Sequence, residues 1–234
     1  MADATVTVIV LSYNRPRMLR EALSSIRGAD EILLLDDGSN FDVRALVREK
    51  PPDCRISIRI APPLGVEERL VTPRVSRAIN QAVRDASGSV IAYLCDDDLF
   101  YPSWPATLRE YFGSASPDAH FVAGGWGLFT DGEPPGNKPW PAPGCGLTTG
   151  NFAHRKRCSI EHGCWWVESS IAIHDGPFLF HRVAPVHPLA GIPRLPPEAQ
   201  AGWRREHPWN MFNFTGHAGY RPEARDVLAR RALE

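Results

Sequence analysis

The chain has 234 residues, 43% of them hydrophobic and 23% charged, with a net charge of −1. Those proportions belong to an ordinary soluble globular protein. The near-zero charge removes any global electrostatic case for nucleic acid or an anionic membrane surface as partner.

Thr5 to Leu11 is β-branched and apolar and reads as a buried strand. It runs into Ser12-Tyr13-Asn14-Arg15-Pro16, where Pro16 suits the first turn of a helix. Met18, Leu19, Ala22, Leu23 and Ile26 then give an amphipathic helix up to Gly28. Glu31 to Leu35 predicts a second strand, closed by Asp36-Asp37-Gly38-Ser39-Asn40; Phe41 to Glu49 predicts a helix and Arg55 to Ile60 a third strand. Two βα units with short connections predict a parallel sheet with right-handed crossovers. After a loop at 64–69, Pro73 opens a helix that ends near Gly88, and Val90 to Leu94 is the next buried strand. That strand empties into Asp96, Asp97 and Asp98.

Tyr101 to Phe112 predicts another helix, and Phe121 to Ala123 and Trp126 to Phe129 are expected as short strands of an added sheet. Most of the 22 prolines lie beyond this point, so the second half should be rich in loops. Residues 131–149 read as a long surface loop. Apolar periodicity resumes over Cys164 to Ile173, Phe178 to Val183 is a further short element, Glu198 to Arg205 predicts the start of a helix, and Pro222 opens a last one. Nowhere is an apolar run long enough to span a bilayer. The first ten residues lack the basic region and long apolar core of an export signal. Five cysteines, an odd count, suit reduced thiols in a cytoplasmic protein.

The chemistry concentrates where α/β sheets place their ligands, beyond the carboxyl ends of the strands. Three adjacent acids repel one another unless a cation sits among them, and a hard divalent ion with oxygen ligands does that well. The same residues also serve a solvated loop or a helix start. Tyr13 offers a flat face to a base, Asn14 offers donors and acceptors, Asp37 can accept from a ring N–H, and Arg69 can neutralise a phosphate. Each also has a bland reading, since Asn14 and Asp36-Asp37-Gly38-Ser39 are ordinary turn residues. Their recurrence on successive strand ends favours a site.

In this order and spacing, S-Y-N-R-P, D-D-G-S and G-S-V-I-A-Y-L-C-D-D-D resemble the nucleotide-sugar half of GT-A glycosyltransferases, most closely the inverting family two. G-V-E-E-R at 65–69, R-A-I-N-Q-A at 77–82 and Y-P at 101–102 make the chain similar to the spore-coat-polysaccharide type. W-W-V-E-S-S-I-A-I-H at 165–174 and P-E-A-Q-A-G-W-R at 197–204 continue the resemblance more weakly. It implies one GT-A domain over 1–234: a Rossmann-like, mostly parallel central sheet with helices on both faces and a smaller acceptor-side sheet. A nucleotide-sugar-binding half would run to 112 and an acceptor half over 113–234.

The resemblance also implies roles. Tyr13 would stack on uracil or thymine beside Ser12, Asn14 and Arg15, with Asp37 bonding the ring and Arg69 near the diphosphate. Asp96 would face the ribose or a metal-bound water, and Asp97 or Asp98 would hold Mn²⁺ or Mg²⁺; D-x-D and D-D readings of the triplet both fit. The partners would be a UDP- or dTDP-sugar and an acceptor hydroxyl, carbohydrate or other. Inversion needs one base for that hydroxyl. Glu198 falls where the family's base would, with Asp175, Glu168 and Glu206 in reserve; its alternative is a helix-start Glu. Glu168 and His174 match acceptor-side positions, and Trp165 and Trp166 offer faces for a sugar.

The other second-half tryptophans, Trp126, Trp140, Trp203 and Trp209, could likewise stack on sugars or fill a core. His154, Cys158, His162 and Cys164 include zinc-binding residue types, though without the paired spacing of structural zinc sites. Arg155-Lys156-Arg157 is either a small basic patch for an anionic acceptor or a solvated loop. Nucleotidyl transfer and a non-catalytic nucleotide- or carbohydrate-binding module are the rival functions. The absence of glycine in Ser12 to Pro16 counts against nucleotidyl transfer.

Overall fold

The computed structural model describes residues 4–49, 52–65, 68, 72–115, 118–130, 149–163, 165–166 and 200–206; at 126, 128, 130, 200 and 203–206 it describes the backbone only. The chain begins with strand β1 (Val6–Ser12), helix α1 (Pro16–Ser25), β2 (Glu31–Asp36), α2 (Val43–Glu49) and β3 (Arg55–Ile60). It continues through α3 (Arg74–Asp85), β4 (Val90–Cys95), β5 (Leu99–Phe100), α4 (Trp104–Ser114), β6 (Phe121–Ala123) and β7 (Gly125–Thr130). Strand β8 (Phe152–Arg155), helix α5 (Lys156–His162) and β9 (Gln200–Glu206) complete the described elements.

Strands β1, β2, β3 and β4 pair in parallel, in the order β3-β2-β1-β4, and β8 and β6 extend that sheet with antiparallel pairings. β1 carries no charge and lies at the centre, as a strand covered on both faces must. Alternation along the strands separates two cores. Val6, Val8, Val10, Ile32, Leu34, Val90, Ala92 and Leu94 pack with α1, α2 and α4 on one face. Ile9, Leu33, Leu35, Ile91 and Tyr93 pack with α3 and α5 on the other. The period of two in the strands thus sorts successive side chains onto helices on both sides.

At the end of the sheet away from the strand tips, Glu31 is fully buried. It accepts from the Thr7 hydroxyl (2.8 Å), the Ser87 N–H (2.7 Å) and hydroxyl (2.9 Å), and Arg55 (2.6 Å). Burial raises the cost of its charge, but these donors outweigh it and hold the carboxyl below its ordinary range.

Three expectations change. Phe121–Ala123 joins the central sheet, because β8 lies between it and β4. Residues 200–206 form a strand where a helix start was expected: β9 sits between β5 and β7 in a second, three-stranded sheet. Pairing on both sides overrides the segment's weak pattern, and Gly202 permits it, since a Cβ there would lie 2.3 Å from the Leu99 carbonyl oxygen. Third, two of the three basic residues at 155–157 are structural. Lys156 Nζ donates to the carbonyls of Arg84 (2.8 Å) and Ala86 (2.6 Å) at the end of α3. Arg155 bonds the carbonyl of Phe112 (2.8 Å) in the last turn of α4 and that of Ala119 (3.0 Å) before β6, and lies over the Phe112 ring. Each cation meets the negative end of a helix dipole. Among the described residues no helix is long and apolar enough to cross a membrane.

Candidate functional site

The strand order brings the tips of β2, β1 and β4 side by side. From β1 the chain moves outward through β2 to β3, then returns to the opposite side of β1 for β4. The crevice at such a reversal, beyond the carboxyl ends, is where open α/β sheets bind ligands. Here it gathers residues 12–15, 36–40 and 95–98.

Polar contacts sew the three loops together. Asp36, at the end of β2, accepts from the backbone N–H groups of Gly38 (3.1 Å) and Ser39 (2.9 Å) and from the Ser39 hydroxyl, closing an Asx turn. Gly38 takes φ +79 in that turn, and a Cβ there would press on the Pro62 carbonyl at 2.9 Å. Asn14, at φ +50, donates its N–H to Ser39 Oγ (2.9 Å) and accepts at Oδ1 from the Asn40 N–H (2.7 Å). On the other side, Asp96 accepts from the Tyr13 N–H (2.9 Å) and from Arg15 (2.8 Å). Asn14 therefore faces β2 and its neighbours face β4, and the left-handed backbone at Asn14 makes that division possible.

Electrostatics follow from the same contacts. Arg15 pairs with both Asp96 and Asp97. Burial opposes its charge, yet the two carboxylates more than offset that cost, so the guanidinium pKa lies above its usual value. Arg74, the first residue of α3, bonds the Asp37 carboxylate through Nε and the Asp37 carbonyl through Nη2 (2.8 Å). Asp96 and Asp98 are buried. Five carboxylates, Asp36, Asp37, Asp96, Asp97 and Asp98, thus share the edge with two described guanidiniums. That excess suits a divalent cation.

The turn after β4 supplies ligand atoms for one. The Asp98 N–H donates to the Cys95 carbonyl (3.1 Å), and Cys95 Sγ and carboxylate oxygens of Asp97 and Asp98 all lie within 4.8 Å of one another. The two carboxylates fit the Mn²⁺ or Mg²⁺ that the sequence resemblance implies.

Ser12, Tyr13, Asn14, Arg15, Asp37, Asp96, Asp97 and Asp98 therefore converge on one edge. Arg69, Glu168, His174, Asp175 and Glu198 lie outside the described residues, and of Glu206 only the backbone, at the end of β9, is described. Trp166 is buried in the core below β4, with its ring edge-on to Tyr93 at 5.3 Å and its backbone held by reciprocal bonds to the Asn80 amide. Trp165 carries Arg84 over its ring at 4.5 Å.

The zinc quartet does not assemble among the described residues. His154 is fully buried with Nε2 against the Tyr93 hydroxyl (2.7 Å) and Nδ1 against the Arg155 carbonyl (3.0 Å). Cys158 packs in the core under α5, the His162 ring packs against His120, and Cys164 is not described. Sequence reasoning missed Arg74 and Cys95. Pro73 opening a helix was the signal that placed Arg74 at a helix start, but nothing in its spacing pointed to Asp37.

Residues 7–173 match the sequence model described as "Glycosyl transferase family 2". Protein CgeD of Bacillus subtilis is 32% identical over 121 residues, covering 50% of this chain and 28% of that protein. A Rickettsia felis protein named an uncharacterized glycosyltransferase is 34% identical over 103 residues, covering 42% of this chain and 16% of its own. The match thus spans less than a third of these curated relatives. TarS of S. aureus in complex with UDP superimposes with TM-score 0.60 at 12% identity, over 98% of this chain and 70% of that chain. The glucosyl-3-phosphoglycerate synthase of Mycobacterium tuberculosis in complex with Mn²⁺, UDP and glucosyl-3-phosphoglycerate does so with TM-score 0.53 at 15% identity, over 98% and 80%. At these identities the structural likeness establishes the fold, GT-A.

Proposed function

Since the chain belongs to glycosyl transferase family 2, we propose that it transfers a sugar from a nucleoside-diphosphate sugar to an acceptor hydroxyl, with inversion. The observation that carries this reading is the convergence of Tyr13, Asn14, Asp37 and the acid triplet on three adjacent strand tips.

On this reading Tyr13 stacks on the pyrimidine of a UDP- or dTDP-sugar, and the Asp37 carboxylate accepts its ring N–H. Ser12, Asn14 and Arg15 frame the nucleoside, Asp96 faces the ribose, and Arg69 lies by the diphosphate. Asp97 and Asp98 hold Mn²⁺ or Mg²⁺. Bound there, the ion supplies Lewis-acid stabilisation of the leaving diphosphate. Glu198 takes the acceptor proton as the hydroxyl oxygen bonds to the anomeric carbon and the bond from that carbon to the diphosphate breaks. One displacement at one carbon inverts its configuration. The choice of Glu198 over Asp175, Glu168 and Glu206 rests on the resemblance of P-E-A-Q-A-G-W-R at 197–204 to the family's base segment. Glu168, His174 and Trp165 belong to the acceptor side, in an acceptor half over 113–234 of one domain; Trp166, expected there too, is a core residue with no face left for a sugar.

Glu198→Gln tests the assignment. It should lower donor hydrolysis or transfer about 10²–10⁴-fold with donor affinity retained. Unchanged turnover would move the base elsewhere.

A further inference from the structure

Arg15 immediately precedes α1, and its carbonyl takes the first bond of that helix, from the Leu19 N–H (2.9 Å). Its side chain gives the helix no cap and crosses instead to the tip of β4, 81 residues further along the chain. There one nitrogen, Nη1, lies between two acids, 2.8 Å from Asp96 Oδ1 and against Asp97 Oδ2. The three side chains are only 8%, 5% and 12% exposed, so solvent screens these charges little. Asp96 is fixed from a second side, where its Oδ2 accepts the Tyr13 N–H (2.9 Å).

Two features make this cation displaceable. Its buried Nε has no hydrogen-bond partner, so charge holds the guanidinium here without filling its donors, and a buried donor left unmade costs free energy. Asp97 is also a residue to which the divalent ion is assigned. A second cation on that carboxylate would lie beside the first.

We propose that Arg15 competes with the divalent ion: it neutralises Asp96 and Asp97 until a nucleoside diphosphate arrives with the metal, and the diphosphate then accepts the guanidinium N–H groups. The proposal rests on the reading of this edge as a metal–diphosphate site and extends the part of Arg15 in framing the nucleoside. Like charges repel more strongly in a buried site than in water, so Arg15 keeps the ion alone weakly bound. A diphosphate reverses the balance. Its oxygens suit the planar fork of a guanidinium and bring further negative charge to the ion. Metal and nucleotide then bind together, each raising the affinity for the other by the same factor.

The test is titration of the full chain with Mn²⁺ at neutral pH, with and without UDP, the free ion being read by electron paramagnetic resonance. The wild type should bind Mn²⁺ about tenfold or more tightly when UDP is present, a comparison that needs no variant. Arg15→Gln keeps a donor and loses the charge; it should bind Mn²⁺ alone about tenfold more tightly than the wild type, and UDP should add a smaller factor. Arg15→Lys, which keeps the charge, should stay near the wild type, and adding Asp97→Asn to Arg15→Gln should remove the gain. Thermal melts check that the variants are folded. Equal or weaker Mn²⁺ binding in Arg15→Gln, a gain that survives Asp97→Asn, or a wild type that binds the ion equally with and without UDP would each overturn the proposal. UDP-dependent Mn²⁺ binding that Arg15→Gln leaves unchanged removes the competition and keeps the donor site. No binding of Mn²⁺ or UDP in any form of the chain removes both.

Discussion

Arg74 is the residue on which the reading of Asp37 depends. Through Nε and Nη2 it holds both the carboxylate and the carbonyl of Asp37, and a lysine, whose donors all sit on one nitrogen, lacks the planar fork that spans the two. Without these two bonds Asp37 would be held less firmly in the orientation it presents to a base. We predict that Arg74→Met weakens UDP binding about tenfold, a loss near 1.4 kcal/mol, and that Arg74→Lys recovers only part of it. Calorimetric titration reads both; affinity unchanged in Arg74→Met would remove Arg74 from the site. The candidate residues themselves were legible because they sit at strand tips, where an apolar run gives way to Asp or Tyr-Asn. Their partners were not. Asp37 and Arg74 are far apart in sequence, and only the crossover from β2 through β3 to α3 brings them together.

At the scale of elements, the same division holds. β1, β2 and β4 were readable from buried apolar runs with charge or glycine at their ends. β8 was not, because its four residues include His154, which reads as polar and as a zinc ligand. Burial instead makes it a neutral core residue and lowers its pKa to about 4, against the pull of the Arg155 carbonyl. Its Nδ1–H donates to that carbonyl, so Nε2 accepts from Tyr93. Among the described groups, the aromatic rings of Tyr93, Phe121 and Phe152 face it and no carboxylate does. Unfolding restores an ordinary histidine, which binds a proton below about pH 6.5. The folded state refuses that proton until about pH 4, so stability is full above about 6.5 and falls as pH drops towards 4. Between pH 7 and pH 5 the loss should be about 2 kcal/mol, and less in His154→Gln. Urea unfolding at the two pH values measures it; a difference equal in wild type and variant would contradict the assignment. β9 was misread for a different reason. Its strand character comes from β5 and β7 on either side, which a seven-residue window does not contain.

For the whole molecule, the central claim is that the β2-β1-β4 edge binds a nucleoside diphosphate together with a divalent ion. The edge is preorganised by its own loops, is acidic in excess of Arg15 and Arg74, and lies at the topological reversal of a GT-A sheet. A bare diphosphate would be repelled by that excess, so binding should require the metal. Calorimetric titration with UDP, dTDP and GDP, each with Mn²⁺ and again with EDTA, tests this most directly. UDP or dTDP should bind at about micromolar affinity with Mn²⁺, and EDTA should abolish that binding. No binding of any of the three in either condition would contradict it.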